Sequence, residues 1–146
     1  MRLWIFAIIA TLIACFIGYY RWRPLSAKVR INNAVFFVEV AANEPQKQKG
    51  LGDRSSLASD HGMLFPYDHK EQYNFWMREM RFPLDFIWID GDRVADITEN
   101  VPPPIGNSAP VIVEPNVPVN KVLEVNAGVV ARFGIGIGDK VEFLDR

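Results

Sequence analysis

At 146 residues, with a formal net charge of -1 and 23% charged side chains, the chain is long enough for one ordinary globular domain plus a short appendage, and too short for two domains. Its Lys and Arg residues are scattered among acids rather than gathered on one face, which argues against a nucleic-acid surface. A single cysteine, Cys15, leaves no internal disulfide and no thiol chemistry in the folded part of the chain.

From Leu3 to Tyr20 the chain is an uncharged run of 18 residues, just long enough to cross a bilayer as a helix. Trp4, Tyr19, Tyr20 and Trp22 stand at its two ends as interfacial aromatics. The sequence Leu12-Ile13-Ala14-Cys15 resembles a bacterial lipobox, but Phe16 to Tyr20 continues the apolar run where a signal peptide turns polar, so an uncleaved anchor is preferred and Cys15 is read as a small apolar residue of it. The division expected is a membrane anchor or signal segment over residues 1–23, a linker over 24–33 and a β domain over 34–146. Arg21, Arg23, Lys28 and Arg30 follow the span and Arg2 alone precedes it, a charge asymmetry that would keep the domain in the cytoplasm. N-terminal apolar segments of this length commonly act as export signals, and the expectation is a single-pass, extracytoplasmic domain.

Ala34 to Val40 alternates as a strand, with Phe36, Val38 and Val40 on one face and Phe37 and Glu39 on the other. Asn43-Glu44-Pro45-Gln46 starts a short helix that Gly50 stops: Asn43 can cap, Pro45 fits the first turn and Gln46 occupies the capping-box position. The stretch Gly62 to Asp85 is the densest in aromatics and methionines, and reads as two short buried strands, Met63–Phe65 and Phe75–Met77, joined by an exposed polar loop. Leu84 to Ile89 is the most strand-like segment, and Asp90-Gly91-Asp92 supplies hairpin chemistry that returns Arg93 to Val101 antiparallel. After a proline-rich connector, Val111 to Val113 forms an edge strand, and Lys121 to Val125 alternates again. Asn126 is expected to cap a helix over residues 127–133 that Gly134 ends, before a last strand from Lys140 to Leu144.

The ordered set Gly50-Leu51, Arg54, Leu57, Gly62-Met63-Leu64-Phe65, Phe75-Trp76-Met77, Pro83-Leu84-Asp85, Val122 to Gly128 and Gly138-Asp139 closely resembles the DUF192 family (UPF0127) of uncharacterised bacterial and archaeal proteins, from about Phe37 to the C-terminus. The resemblance implies a compact, mainly β domain with one or two short helices, a barrel-like sandwich, exported and often made with a signal peptide or anchor; it implies no reaction. The chain departs from the family pattern where Gly52 stands in place of a methionine, and where Trp76-Met77-Arg78-Glu79-Met80 replaces Trp-Met-Lys-Asn-Thr.

Arg54 and Asp85 are the polar residues that stand out, each embedded in apolar or turn sequence. Asp85 shares a strand face with Ile87 and Ile89; if that face is buried its carboxylate needs a partner, and the Arg54 fork is the expected one, as a structural tie ahead of a catalytic role. A two-carboxylate hydrolase would use Asp85 and Glu124, with His61 nearby. His61 and His69, each following an aspartate, share no ligand spacing and are read as solvated turn residues, so neither a metal nor a cofactor is expected. Among the aromatics, Trp76 and Tyr73 are expected to reach a cleft and the rest to form core. The preferred reading is thus a membrane-anchored ligand-binding or accessory module of the cell envelope with Arg54, Trp76, Tyr73 and Asp85 around its cleft. The alternatives are the small hydrolase and a structural partner of another envelope protein.

Overall fold

A computed structural model describes residues 25–144; the anchor expected over 3–20 and Cys15 lie outside the described residues. Among the described residues, nine strands and two short helices follow in the order β1 (Leu25–Ile31), β2 (Ala34–Val40), α1 (Glu44–Lys49), β3 (His61–Glu71), β4 (Phe75–Trp76), β5 (Leu84–Asp90), β6 (Arg93–Val101), β7 (Ile112–Val113), β8 (Val119–Asn126), α2 (Val129–Phe133) and β9 (Val141–Leu144). Among the described residues no helix is long and apolar enough to cross a membrane.

Seven strands form one sheet in the order β6-β5-β8-β3-β2-β1-β9, with β2 and β3 parallel and every other pair antiparallel. The sheet curls until its two edges meet at one end: Val94 donates to the Asp139 carbonyl at 2.9 Å, and Gly138 and Val141 donate to the Val94 and Asp92 carbonyls at 2.8 Å. The result is a half-barrel. Inward-pointing residues from all seven strands, among them Val29, Phe36, Leu64, Ile87, Val94, Leu123 and Val141, form its core together with Val129 and Val130 of α2. A second core lies on the outer face of β3, β5 and β8, where the β4–β7 ribbon packs down. There Phe75 of β4 meets Phe65, Phe86 and Trp88 edge-on at centroid distances of 5.0, 5.8 and 5.6 Å. With a core on each side, β5 buries Leu84 through Ile89 without a break, which explains the unbroken apolar run Phe86 to Ile89 in an antiparallel strand.

The helix start reads as its residues imply. The Asn43 side chain accepts from the Gln46 amide at 3.0 Å, and Gln46 Oε1 reaches back to the Ala42 amide at 2.9 Å. The β5–β6 hairpin turns at Gly91, with φ at 62°.

Four expectations need correction. Residues 25–31 are not linker but β1, paired along its whole length with β2 across a turn in which Asn32 takes a φ of 52°. Val29 and Ile31 fill the inner core, so alternation was present over too few residues to stand out from the charged ones between. The polar segment after Phe65 is not a loop: β3 continues to Glu71 because β8 lies alongside to pair with Pro66 and Glu71, and this long-range partner overrides local polarity. The expected second core strand, β4, belongs to a separate ribbon with β7. Finally, Asn126 does not cap α2. Gly128, with φ at 83°, precedes the helix, and the Asn126 side-chain Nδ2 donates instead to the Leu57 and Ala58 carbonyls at 3.0 and 3.1 Å, pinning the segment that leads into β3.

Gly62 sets how closely β3 approaches β8. A Cβ there would lie 2.7 Å from the Glu124 carbonyl oxygen and 3.2 Å from side-chain atoms of Leu123 and Val125. Since the nearest atom is backbone, Gly62→Ala is expected to lower the unfolding free energy by about 1–3 kcal/mol in urea titrations.

Candidate functional site

Cross-strand register decides which polar side chains meet. Glu39 of β2 stands opposite Met63 of β3, Met63 opposite Glu124 of β8, and Glu124 opposite Phe86 of β5, so all four share one row on the outer face of the half-barrel. Asp85 pairs in register with Val125 and points the other way, into the interior with Ile87 and Ile89. Asp85 and Glu124 are therefore on neighbouring strands but opposite faces. They cannot act on one substrate, and the two-carboxylate pair expected from the sequence is withdrawn.

Asp85 is fully buried. One of its oxygens accepts the Asn100 amide at 2.8 Å and the other the Val130 amide at 3.0 Å. It thereby ties the end of β6 and the first turn of α2 to the middle of the sheet, supplying from across the fold an acceptor for one of the free N–H groups of that turn. Arg54 is not its partner. The Arg54 guanidinium grips both oxygens of Glu39, at 2.5 and 2.7 Å, in a half-buried fork on the outer face. That bidentate contact holds the Glu39 carboxyl below its ordinary value of 4.5, with burial opposing and the charges of Arg54 and His61 adding to it. The sequence places Glu39 only on the strand face away from Phe36; its role follows from how the connection between α1 and β3 lays Arg54 against β2, which local pattern does not encode.

Glu124 is 6% exposed and Oε2 has no hydrogen-bond partner. Burial pushes its carboxyl up to about 8, and the nearby Arg54 charge pulls only partly in the other direction. It lies at the base of a cleft of about 270 Å³ between α1 and the β3–β4 region. Phe65, Phe75, Leu51 and Met80 supply apolar wall, and Lys47, Lys49, Arg78 and Trp76 stand among the lining residues. Tyr67 also lines the cleft; its ring stacks on Tyr73 at 3.6 Å and carries the Lys47 ammonium 4.1 Å above its centroid. Burial and the neighbouring acidic groups raise the Tyr67 phenol above its usual range.

The other expected site residues divide. Trp76 is 47% exposed and lines the cleft, with the Arg78 guanidinium 4.9 Å from its ring centroid. Tyr73 stands behind Tyr67 and bonds the His69 carbonyl at 2.8 Å, so it supports the wall without lining it. His61 is exposed at the start of β3, its Nδ1 2.7 Å from Asp60 and its ring 5.6 Å from Phe37, on the Glu39 side and away from the cleft. Glu39 and Arg54 line a separate, smaller recess with Met63. Among the described residues no group of three or more His, Cys, Asp or Glu is placed to hold a metal ion.

The backbone beside the cleft is tightly turned. Asp53 and Glu79 both adopt left-handed φ, 64° and 61°, and are joined by the Asp53 amide donating to the Glu79 carbonyl at 2.8 Å. Gly52 packs against this contact, and a Cβ there would stand 3.4 Å from that of Glu79. Gly52 and Met80, two positions at which the chain departs from the family pattern, thus fall on the cleft wall.

A curled, mainly β half-barrel with an outer cleft built over one buried carboxyl is the class of protein that these features define. The model of the family DUF192, described as an "Uncharacterized ACR", matches residues 27–143, and the chain belongs to that family. Two solved structures are similar to it. A protein from Sinorhizobium meliloti 1021, described as a "putative transcription regulator", is 33% identical with a TM-score of 0.74, over 83% of this chain and 95% of that one. A protein of unknown function from Novosphingobium aromaticivorans DSM 12444 is 34% identical with a TM-score of 0.73, over 80% of this chain and 84% of that one. No curated protein matches.

Proposed function

We propose that the domain is a small-molecule binding module, tethered to the outer side of a membrane by residues 3–20, with the cleft between α1 and β4 as its binding site. The observation that carries this reading is the buried Glu124 oxygen without a partner. Leaving a buried polar group unpaired costs on the order of 1–3 kcal/mol, and such groups in native proteins concentrate where a ligand completes them. Apolar walls around a few convergent polar groups are the usual composition of a ligand pocket, and 270 Å³ places this one near the lower end of the common size range.

Glu39 and Glu124 have carboxyls shifted in opposite directions, the property expected of an acid–base pair. They line different recesses, however, with Met63 between them in the row, and Glu39 is engaged by Arg54. Binding is therefore favoured over hydrolysis. The exposed cross-strand pair Trp76 and Ile112, 47% and 63% accessible, supports a protein partner as the second reading.

The test is a thermal-shift screen of sugars, peptides, nucleotides, carboxylates and amines on the full-length chain in mild detergent. Compounds that raise the melting temperature of the native protein are expected to lose the effect in Asn74→Trp, which fills the cleft from an exposed rim position. Silence across all classes, or shifts that survive Asn74→Trp, would overturn the assignment of the cleft.

A further inference from the structure

The chemistry lining the cleft selects among ligands. Its base is a buried carboxyl whose Oε2 has no hydrogen-bond partner, set among Phe65, Phe75, Leu51 and Met80. Its other charged lining residues are Lys47, Lys49 and Arg78 against the single acid Glu44. Two of these cations are already engaged: Lys47 lies 3.5 Å from Glu44 and over Tyr67, and Lys49 pairs with Asp53 and, at 3.5 Å, with Glu79. Arg78 is different. Among the described residues no carboxylate pairs with it, and its guanidinium carbon lies 4.9 Å from the centroid of the exposed Trp76 ring. A guanidinium beside an indole and without a carboxylate partner is suited to a carboxylate or phosphate, which its planar N–H fork can grip with two parallel hydrogen bonds.

Resting on the reading of the cleft as a ligand site, we infer that it takes a small amphiphilic anion: an acidic group held by Arg78 with Lys47 and Lys49 near it, a compact apolar body between Phe65, Phe75 and Met80, and at the inner end a neutral oxygen hydrogen-bonded to Glu124. An organic cation fits less well, since it would lie beside Arg78, whose charge no carboxylate offsets among the described residues, to reach the buried Glu124. The inner end favours a neutral oxygen because Glu124 keeps its proton up to about pH 8 and so donates to a hydroxyl or carbonyl oxygen, whereas a buried ammonium would require it to ionise. Carboxylates and phosphate monoesters share this recognition chemistry.

Two isosteric series separate charge from shape: 4-hydroxyphenylacetate, its alcohol tyrosol and its amine tyramine; and 6-hydroxyhexanoate, 1,6-hexanediol and 6-aminohexan-1-ol. Calorimetry and thermal shift on the full-length protein at pH 7 are expected to rank the anion first in at least one series, with binding that weakens as salt rises. Phenyl phosphate, compared with phenol, tests the phosphate form of the acidic group. Arg78→Ala is expected to weaken the anion about tenfold while leaving the alcohol unchanged, and Glu124→Leu to weaken acid and alcohol alike. An amine or alcohol that binds as tightly as its anion in both series, or an anion indifferent to Arg78→Ala, would overturn the ligand class while the cleft itself stands. The same follows if these probes fail but the broad screen yields a ligand lost in Asn74→Trp. Silence in both experiments would overturn the site as well.

Discussion

Asp85→Ala is expected to destabilise the domain by about 3–5 kcal/mol, because a buried acceptor shared by two backbone N–H groups is removed and both donors are left without a partner. The loss has a direction that identifies its cause. Val130 belongs to the first turn of α2 and Asn100 to the end of β6, so amide exchange at those two positions should accelerate more than exchange in β1 and β2, whose amides do not bond Asp85. Urea titration gives the magnitude, and hydrogen exchange gives the location. Ligand binding by whatever fraction remains folded should be unchanged, since Asp85 faces the barrel interior while the cleft lies on the outer face. A variant that stays fully stable but loses binding would contradict that placement.

Replacing Glu124 has the opposite consequence for stability. In the folded protein its carboxyl holds a proton up to about pH 8, whereas the ordinary value is 4.5. Between those values the native state binds a proton that the unfolded chain has released, so the contribution of Glu124 is intact below about pH 4.5 and declines as pH rises toward 8. The slope is about 1.4 kcal/mol per pH unit, which accumulates to roughly 3–5 kcal/mol over the whole interval. Glu124→Gln keeps the shape and cannot ionise. It is expected to match the native protein near pH 4.5 and to exceed it by that amount near pH 8.5, as read from urea midpoints across the range. The carboxyls of Glu39, Asp53, Asp60 and Glu142 lie below their ordinary values and lose stabilisation in acid, but they do so in both proteins and cancel in the difference. A difference that is flat with pH would mean that Glu124 ionises freely in the fold. Such a cost, carried at neutral pH by a residue that a glutamine would relieve, is the energetic counterpart of the binding role proposed for the cleft.

Much of this was legible residue by residue. Asn43 and Gln46 declared their helix start because a capping box is closed within four residues. Asp90-Gly91-Asp92 declared its hairpin because a left-handed glycine is a local requirement of the turn. Phe65 and Phe75 were recognisable as core, and Trp76 as a side chain that reaches a cleft. The second carboxylate partnership was not legible. Glu39 on β2 and Arg54 in the connection between α1 and β3 meet across fifteen positions, and Lys47 and Lys49 border a cleft whose base is Glu124 on β8.

By itself, then, the sequence determined the domain's mainly β character, its family, the short helix start at Asn43 and the hairpin at Gly91, all of which rest on interactions between near neighbours or on ordered motifs. It also determined that Asp85, if buried, had to be satisfied. Only the tertiary structure decided by what, and decided that Asp85 and Glu124 lie on opposite faces of adjacent strands. The physical reason is the two-residue period of a strand: face and register change together, and a shift of one position exchanges interior for exterior. That register is set by pairing between segments as distant as β3 and β8, whose contact no local pattern in either segment contains.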